Sequence, residues 1–297
     1  MAEEGYIDVP GGRVWYEVVG ERQAGTPLLC VHGGPGIPHD YLEPLGDLAS
    51  RRPVIFYDQL GCGRSERPDD GSLWTVDRFM DELAAVRTAL GLERVHLFGN
   101  SWGGWLALQY VLDRRPAVQS LIVSSSPASA AAWIAACNAL RADLPTEVRE
   151  IIDRHEQGGF LDCPEYQWAI FEFYRRHFCR VQPWPDSLER AWAGLGADVY
   201  QTMWGRSEFG PVTGRLGDWD VAARLREIEV PTLVTGGRYD EAGLANLMAV
   251  RDEIRGAELA VFEESSHTAF LEERERYVSV LDAFFARVEG GGRGMTG

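Results

Sequence analysis

The stretch that decides the fold is "VHLFGNSWGGWLALQYVL", residues 95–112. Its first part, "VHLFGNS", is a continuous apolar run of strand character, and "SWGGWLALQYVL" carries a helical pattern. The two meet at Gly99-Asn100-Ser101-Trp102-Gly103, a G-x-S-x-G pattern placed where strand passes into helix. So sharp a turn forces its central residue into a strained backbone conformation and leaves room only for tiny residues two before and two after it. In return the Ser101 hydroxyl projects from the carboxyl edge of a sheet. It stands over a helix N-terminus, whose free N–H groups favour developing negative charge. The pattern alone is common, and a glycine-rich turn is the alternative reading. Strand before and helix after are the context that makes Ser101 a candidate nucleophile.

Outward from this junction, "RVWYEVV", "PLLCVHG", "PVIFYDQ" and "SLIVSSS" also read as strands. Most are too continuously apolar to have a wet face, as in a mainly parallel sheet with helices on both faces. "TVDRFMDELAAVRTALGL" (75–92) lies between two of them as a helix with Thr75 placed to cap it. This alternation predicts an α/β fold whose first part spans 1–126. Over 127–211 the text turns helical and aromatic-rich, as in "AAAWIAACNALRADLP" and "PEYQWAIFEFYRRHFC", and predicts an inserted helical cap. The strands "PTLVTGG" and "ELAVFEESSH" and the helix "EERERYVSVLDAFFARV" complete the core over 212–289. Residues 290–297 read as a flexible tail.

A serine alcohol is a weak nucleophile until a base takes its proton and a third group holds the base. For a serine on such a turn the expected chain order is serine, acid, histidine. Asp240 follows the strand "PTLVT", and His267 follows "ELAVFE"; both stand at strand ends, where catalytic groups collect in open α/β sheets. The other histidines read as packing or surface residues: His96 inside a strand, His155 and His177 in the insertion, His39 in a loop. "HGGPG" (32–36) follows the strand "PLLCV" and is a natural source of an oxyanion donor, with Gly34 supplying one N–H and Trp102 the other. His32 reads as the anchor of that loop. "DQLGCGRS" (58–65) lacks the lysine and glycine spacing of a phosphate loop and reads as a structural turn. Beside Asp240 stands a second acid, Glu241, with no role in this chemistry.

The bulk composition narrows the function classes. A net charge of −16, with acids spread along the 297 residues, argues against binding nucleic acid through its phosphates. The chain starts without a basic segment followed by an apolar one, and no run of about 18 apolar residues would span a membrane. The expected location is the cytoplasm. Five scattered cysteines (30, 62, 137, 163 and 179) predict free thiols and no structural metal.

"HGGPG", "YDQLGCGRS", "GNSWGG", "GDWD", "RYDE" and "SSH", in this order, resemble the proline iminopeptidases, serine hydrolases of the α/β-hydrolase fold. The likeness extends over nearly the whole chain. The cap text "DLPTEVREII", "CPEYQWAIFEFYRRH" and "MWGRSEF" is similar to that of the tricorn-interacting aminopeptidase branch. The resemblance implies release of an N-terminal residue, often proline, from a short peptide, or cleavage of an amino-acid amide, arylamide or ester, without metal or cofactor. It also implies a role for the second acid: Glu241 and, in the cap, Glu208 would bind the free amine, with Tyr200 and Trp204 as candidates to enclose a prolyl ring. Two alternatives stay open, an esterase, thioesterase or acyltransferase acting on a substrate with no amine, and a non-catalytic receptor. Epoxide hydrolases and haloalkane dehalogenases need an aspartate where this turn has serine.

Overall fold

The computed structural model describes residues 3–20 and 23–291. Eight strands form one sheet: β1 (Glu3–Val9), β2 (Gly12–Val19), β3 (Leu28–Val31), β4 (Val54–Tyr57), β5 (His96–Asn100), β6 (Ser120–Ser124), β7 (Thr232–Gly237) and β8 (Glu258–Phe262). Their order is β1-β2-β4-β3-β5-β6-β7-β8. β2 runs antiparallel to both β1 and β4, and every other pair is parallel. This is the α/β-hydrolase architecture. β1, "EEGYIDV", was not foreseen: it is an edge strand with much of its surface exposed, so its text shows no apolar run.

β3, β4, β5, β6 and β7 are buried at every position, and their side chains alternate between two cores. Leu29, Val31, Ile55, Leu97, Val123 and Val234 pack towards α1 (Val76–Ala89), α2 (Trp102–Arg114) and α8 (Leu244–Glu253). Leu28, Cys30, Phe56, Phe98, Ile122 and Phe262 face a 3₁₀ helix (His39–Ser50), α9 (Ala269–Glu272) and α10 (Arg274–Gly291). The period-two alternation covers a parallel sheet on both faces. Thr75 caps α1 as expected, its side chain accepting the Arg78 N–H at 3.2 Å.

Between β6 and β7 the chain leaves the sheet and forms α3 (Ala130–Ala142), α4 (Thr146–Gly158), α5 (Pro164–His177), α6 (Asp186–Ala193) and α7 (Ala197–Met203). A lone antiparallel bridge between Ser129 and Asp220 ties the outgoing and returning segments at the neck of this excursion. At the other end, α10 runs on through Gly291 and so takes in the start of the stretch read as a tail. Just before it Glu289 pairs with Arg52 at 2.8 Å and His96 at 3.1 Å, contacts that hold the helix against the sheet. Residues 292–297 lie outside the described residues.

Candidate active site

β5 delivers the chain into α2 through Ser101, whose φ of 56° and ψ of −125° place it outside the usual regions for a residue with a side chain. The two flanking glycines are obligatory on steric grounds. A Cβ at Gly99 would stand 2.2 Å from the Gly103 carbonyl oxygen, and one at Gly103 would stand 2.1 Å from that of Val31. Neither obstacle is a flexible side chain, so the turn admits no larger residue.

The loops after β7 and β8 bring Asp240 and His267 together. His267 Nδ1 donates to Asp240 Oδ1 at 2.8 Å, which fixes the tautomer and leaves Nε2 as the basic nitrogen. Asp240 Oδ1 also accepts the Ala242 N–H at 2.9 Å. His267 and Ser101 line one cavity, with no hydrogen bond closed between them, a looseness common before substrate binds. Two cap rings hold the imidazole: Phe178 stacks on it at 5.4 Å between centroids, and Trp133 meets it edge-on at 5.4 Å. The His177 carbonyl accepts the N–H groups of both Glu241 (3.1 Å) and His267 (3.2 Å). His177, read as a packing or surface residue, therefore joins the cap to both loops. Its ring takes part as well, Nδ1 lying 2.9 Å from the Tyr239 carbonyl, and nothing in the text of the helix marked either contact.

Across the nucleophile, His32 anchors the "HGGPG" loop as expected. Its Nε2 accepts the Gln59 N–H at 2.8 Å and its Nδ1 lies 3.1 Å from the Gly33 carbonyl. Burial lowers its pKa to about 4, which keeps the ring neutral and Nε2 available as an acceptor. Tyr41, not singled out beforehand, accepts the Gly33 N–H at 2.7 Å and donates to Asn100 Oδ1 at 2.8 Å, tying this loop to the nucleophile turn. The backbone N–H groups of Gly34 and Trp102 have no acceptor among the described residues.

The shared cavity measures about 260 Å³. Glu241 is buried in its wall, with Oε1 at 3.9 Å from His267 Nε2 and Oε2 without a hydrogen-bond partner. Glu208 joins it from the loop after α7. Tyr174 donates to Glu208 Oε1 at 3.1 Å, and Tyr200 donates to the same oxygen. Burial raises the pKa of Glu208, and burial followed by the charges of Glu208 and Asp240 raises that of Glu241 well above the usual range. A small recess beside Ser101 is walled by Trp105, Trp133, Tyr200, Trp204 and Leu216. Of the nine residues singled out, Gly34, Ser101, Tyr200, Glu208, Glu241 and His267 line the main cavity, Trp102 and Trp204 line the recess, and Asp240 lies behind His267, outside both. Tyr174, Trp105 and Trp133 were missed, because aromatic residues in helical text carry no mark that separates a cavity wall from a core.

One group of possible metal donors is present among the described residues, His39, Asp40 and Asp58. Asp58 is already engaged, Oδ1 by the N–H and Nδ1 of His39 and Oδ2 by the Arg64 N–H, as a structural turn requires.

Fold and site together define an α/β-hydrolase, and a family model described as alpha/beta hydrolase fold matches residues 26–274. The proline iminopeptidase of Heyndrickxia coagulans is 43% identical over 286 residues, 96% of this chain and 99% of that protein. The crystal structure of Mycobacterium smegmatis proline iminopeptidase matches with a TM-score of 0.89 at 38% identity, covering 98% of this chain and 100% of the other. That of VinJ matches with a TM-score of 0.92, also at 38% identity, over 96% and 99% of the two chains. The chain belongs to the proline iminopeptidase family of α/β-hydrolases.

Proposed function

We propose that the protein is a serine aminopeptidase that releases an N-terminal residue, proline foremost, from short peptides or amino-acid amides. The observation that carries this is the pair of carboxylates, Glu208 and Glu241, facing the same cavity as Ser101, with one Glu241 oxygen buried and unpartnered. A buried carboxylate without a donor is costly, and a substrate ammonium supplies the donor and the opposite charge together. The names of the relatives point the same way. At 38–43% identity these names do not favour an esterase, thioesterase or acyltransferase whose substrate lacks the amine.

In this reading the amine sits between Glu208 and Glu241 and the prolyl ring lies at the mouth of the aromatic recess, against Trp204 and Tyr200. The scissile carbonyl rests over Ser101. His267 Nε2 takes the Oγ proton as Oγ attacks, and Asp240 stabilises the imidazolium that forms. The N–H groups of Gly34 and Trp102 bind the oxyanion. His267 then protonates the leaving amine, and water repeats the sequence on the acyl-enzyme. No metal or cofactor takes part in these steps. The free thiols fit a reducing compartment, and we place the activity in the cytoplasm. No helix among the described residues is long and apolar enough to cross a membrane.

The Ser101→Ala variant tests the assignment. It is expected to lose hydrolysis of a prolyl arylamide to near background and to resist labelling by a fluorophosphonate that labels the wild type. Retained turnover would exclude Ser101 as nucleophile.

A further inference from the structure

The wall of the main cavity contains a single Lys or Arg among the described residues, Arg206, alongside the acids Asp162, Glu208 and Glu241. We propose that Arg206 binds the C-terminal carboxylate of the peptide substrate, which makes di- and tripeptides with a free C-terminus the preferred class. The inference rests on the aminopeptidase reading above and adds a second recognition point to it.

Four observations support it. Arg206 lies two residues before Glu208, so the anchors for the two ends of a substrate belong to one loop. Their Cα atoms are no more than about 7 Å apart, and an extended dipeptide or tripeptide spans about 7 or 10 Å. The loop is pinned on both sides of Arg206. Trp204 Nε1 donates to the Ser207 carbonyl at 3.1 Å, and Ser207 Oγ donates to Glu156 Oε1 at 2.7 Å. Ser207 Oγ in turn accepts the N–H groups of Phe209 at 3.0 Å and Gly210 at 2.7 Å. The guanidinium therefore stands on a fixed backbone, while its side chain is half exposed.

Its only ion-pair partner among the described residues is Asp162, in the connection between α4 and α5, which also lines the cavity. Asp162 is 86% exposed, so the pair is a weak surface contact that a substrate carboxylate can replace at little cost. Finally, the protein carries a net charge of −16 and would repel a peptide carboxylate unless a fixed cation receives it. An arginine does this with two parallel N–H donors, in a geometry a lysine lacks.

The test compares kcat/KM for prolyl-glycine and prolyl-glycinamide, which differ only in the C-terminal charge. Arg206→Gln is expected to lose about tenfold more activity on prolyl-glycine than on prolyl-glycinamide, the effect of one charge-assisted contact at a half-exposed site. Asp162→Asn, which frees Arg206 from its competitor, is expected to shift the same ratio about twofold the other way. This second variant keeps the test decisive if Arg206→Gln does not fold. Equal losses on both substrates in Arg206→Gln, or a ratio unmoved in Asp162→Asn, would overturn the proposal. Failure of the wild type to cleave either substrate would instead remove the aminopeptidase reading.

Discussion

Asp240 and Glu241 are neighbours in the chain, yet they address opposite ends of one imidazole. Asp240 Oδ1 accepts from His267 Nδ1 at 2.8 Å, and Glu241 Oε1 stands 3.9 Å from Nε2. Burial and the surrounding acids push the Glu241 carboxyl up, so in the free protein it holds a proton beyond the ordinary glutamate range. In the proposed reading a substrate ammonium binds the ionised form, and protons compete with it. KM for a free-amine substrate is therefore expected to fall as pH rises through this elevated carboxyl range, until the substrate's own amine deprotonates near about pH 8. Glu241→Gln is expected to raise KM roughly a hundredfold and to flatten this limb, and KM measured against pH checks both effects. Of the roles proposed for the two acids, only that of Asp240 was legible in the residues, through its position after a strand. Glu241 and Glu208 became legible through family resemblance, because an acid that faces a cavity looks in text like one that faces water.

At the scale of elements, the turn between β5 and α2 was the most readable part of the chain because its constraint is local. A Cβ at Gly103 meets the Val31 backbone at 2.1 Å, an obstacle that cannot rotate away. Gly103→Ala is expected to cost about 2 kcal/mol or more in a denaturant melt and to lower kcat, since the serine must shift with the turn. An unchanged midpoint with full activity would mean that β3 yields, contrary to this packing. The helices between β6 and β7 were legible as helical text, but their contacts were not. Phe178 on the imidazole and the His177 carbonyl bonded to two core loops depend on where the cap folds back, which no local pattern encodes. The same applies to β1, whose place at the sheet edge comes from pairing with β2 and not from its own text.

Over the whole molecule, two buried histidines lock separate parts of the fold in their neutral form. Burial lowers His32, under the "HGGPG" loop, to about 4. It also lowers His96, between β5 and α10, to about 4 despite the nearby Glu289. Unfolding restores both to an ordinary value near about 6.5, so the unfolded chain binds more protons between those limits. The part of the stability linked to these two histidines is therefore expected to be full above about pH 6.5 and to decline as pH falls towards 4, by up to about 1.4 kcal/mol per pH unit for each group, while the buried Glu208 and Glu241 act in the opposite sense. Chemical denaturation at successive pH values checks this, and His96→Gln is expected to flatten the slope. The parallel sheet and its two cores were readable from continuous apolar runs, whereas these proton-linked contacts join residues as distant as 96 and 289.

The central claim is that a serine hydrolase site has been made selective for a free N-terminal amine. The most direct measurement is kcat/KM for L-prolyl arylamide against its N-acetyl counterpart, with the same enzyme and leaving group. Two carboxylates around a buried amine are expected to favour the free amine by about a thousandfold or more. Comparable rates on the two substrates would contradict the account.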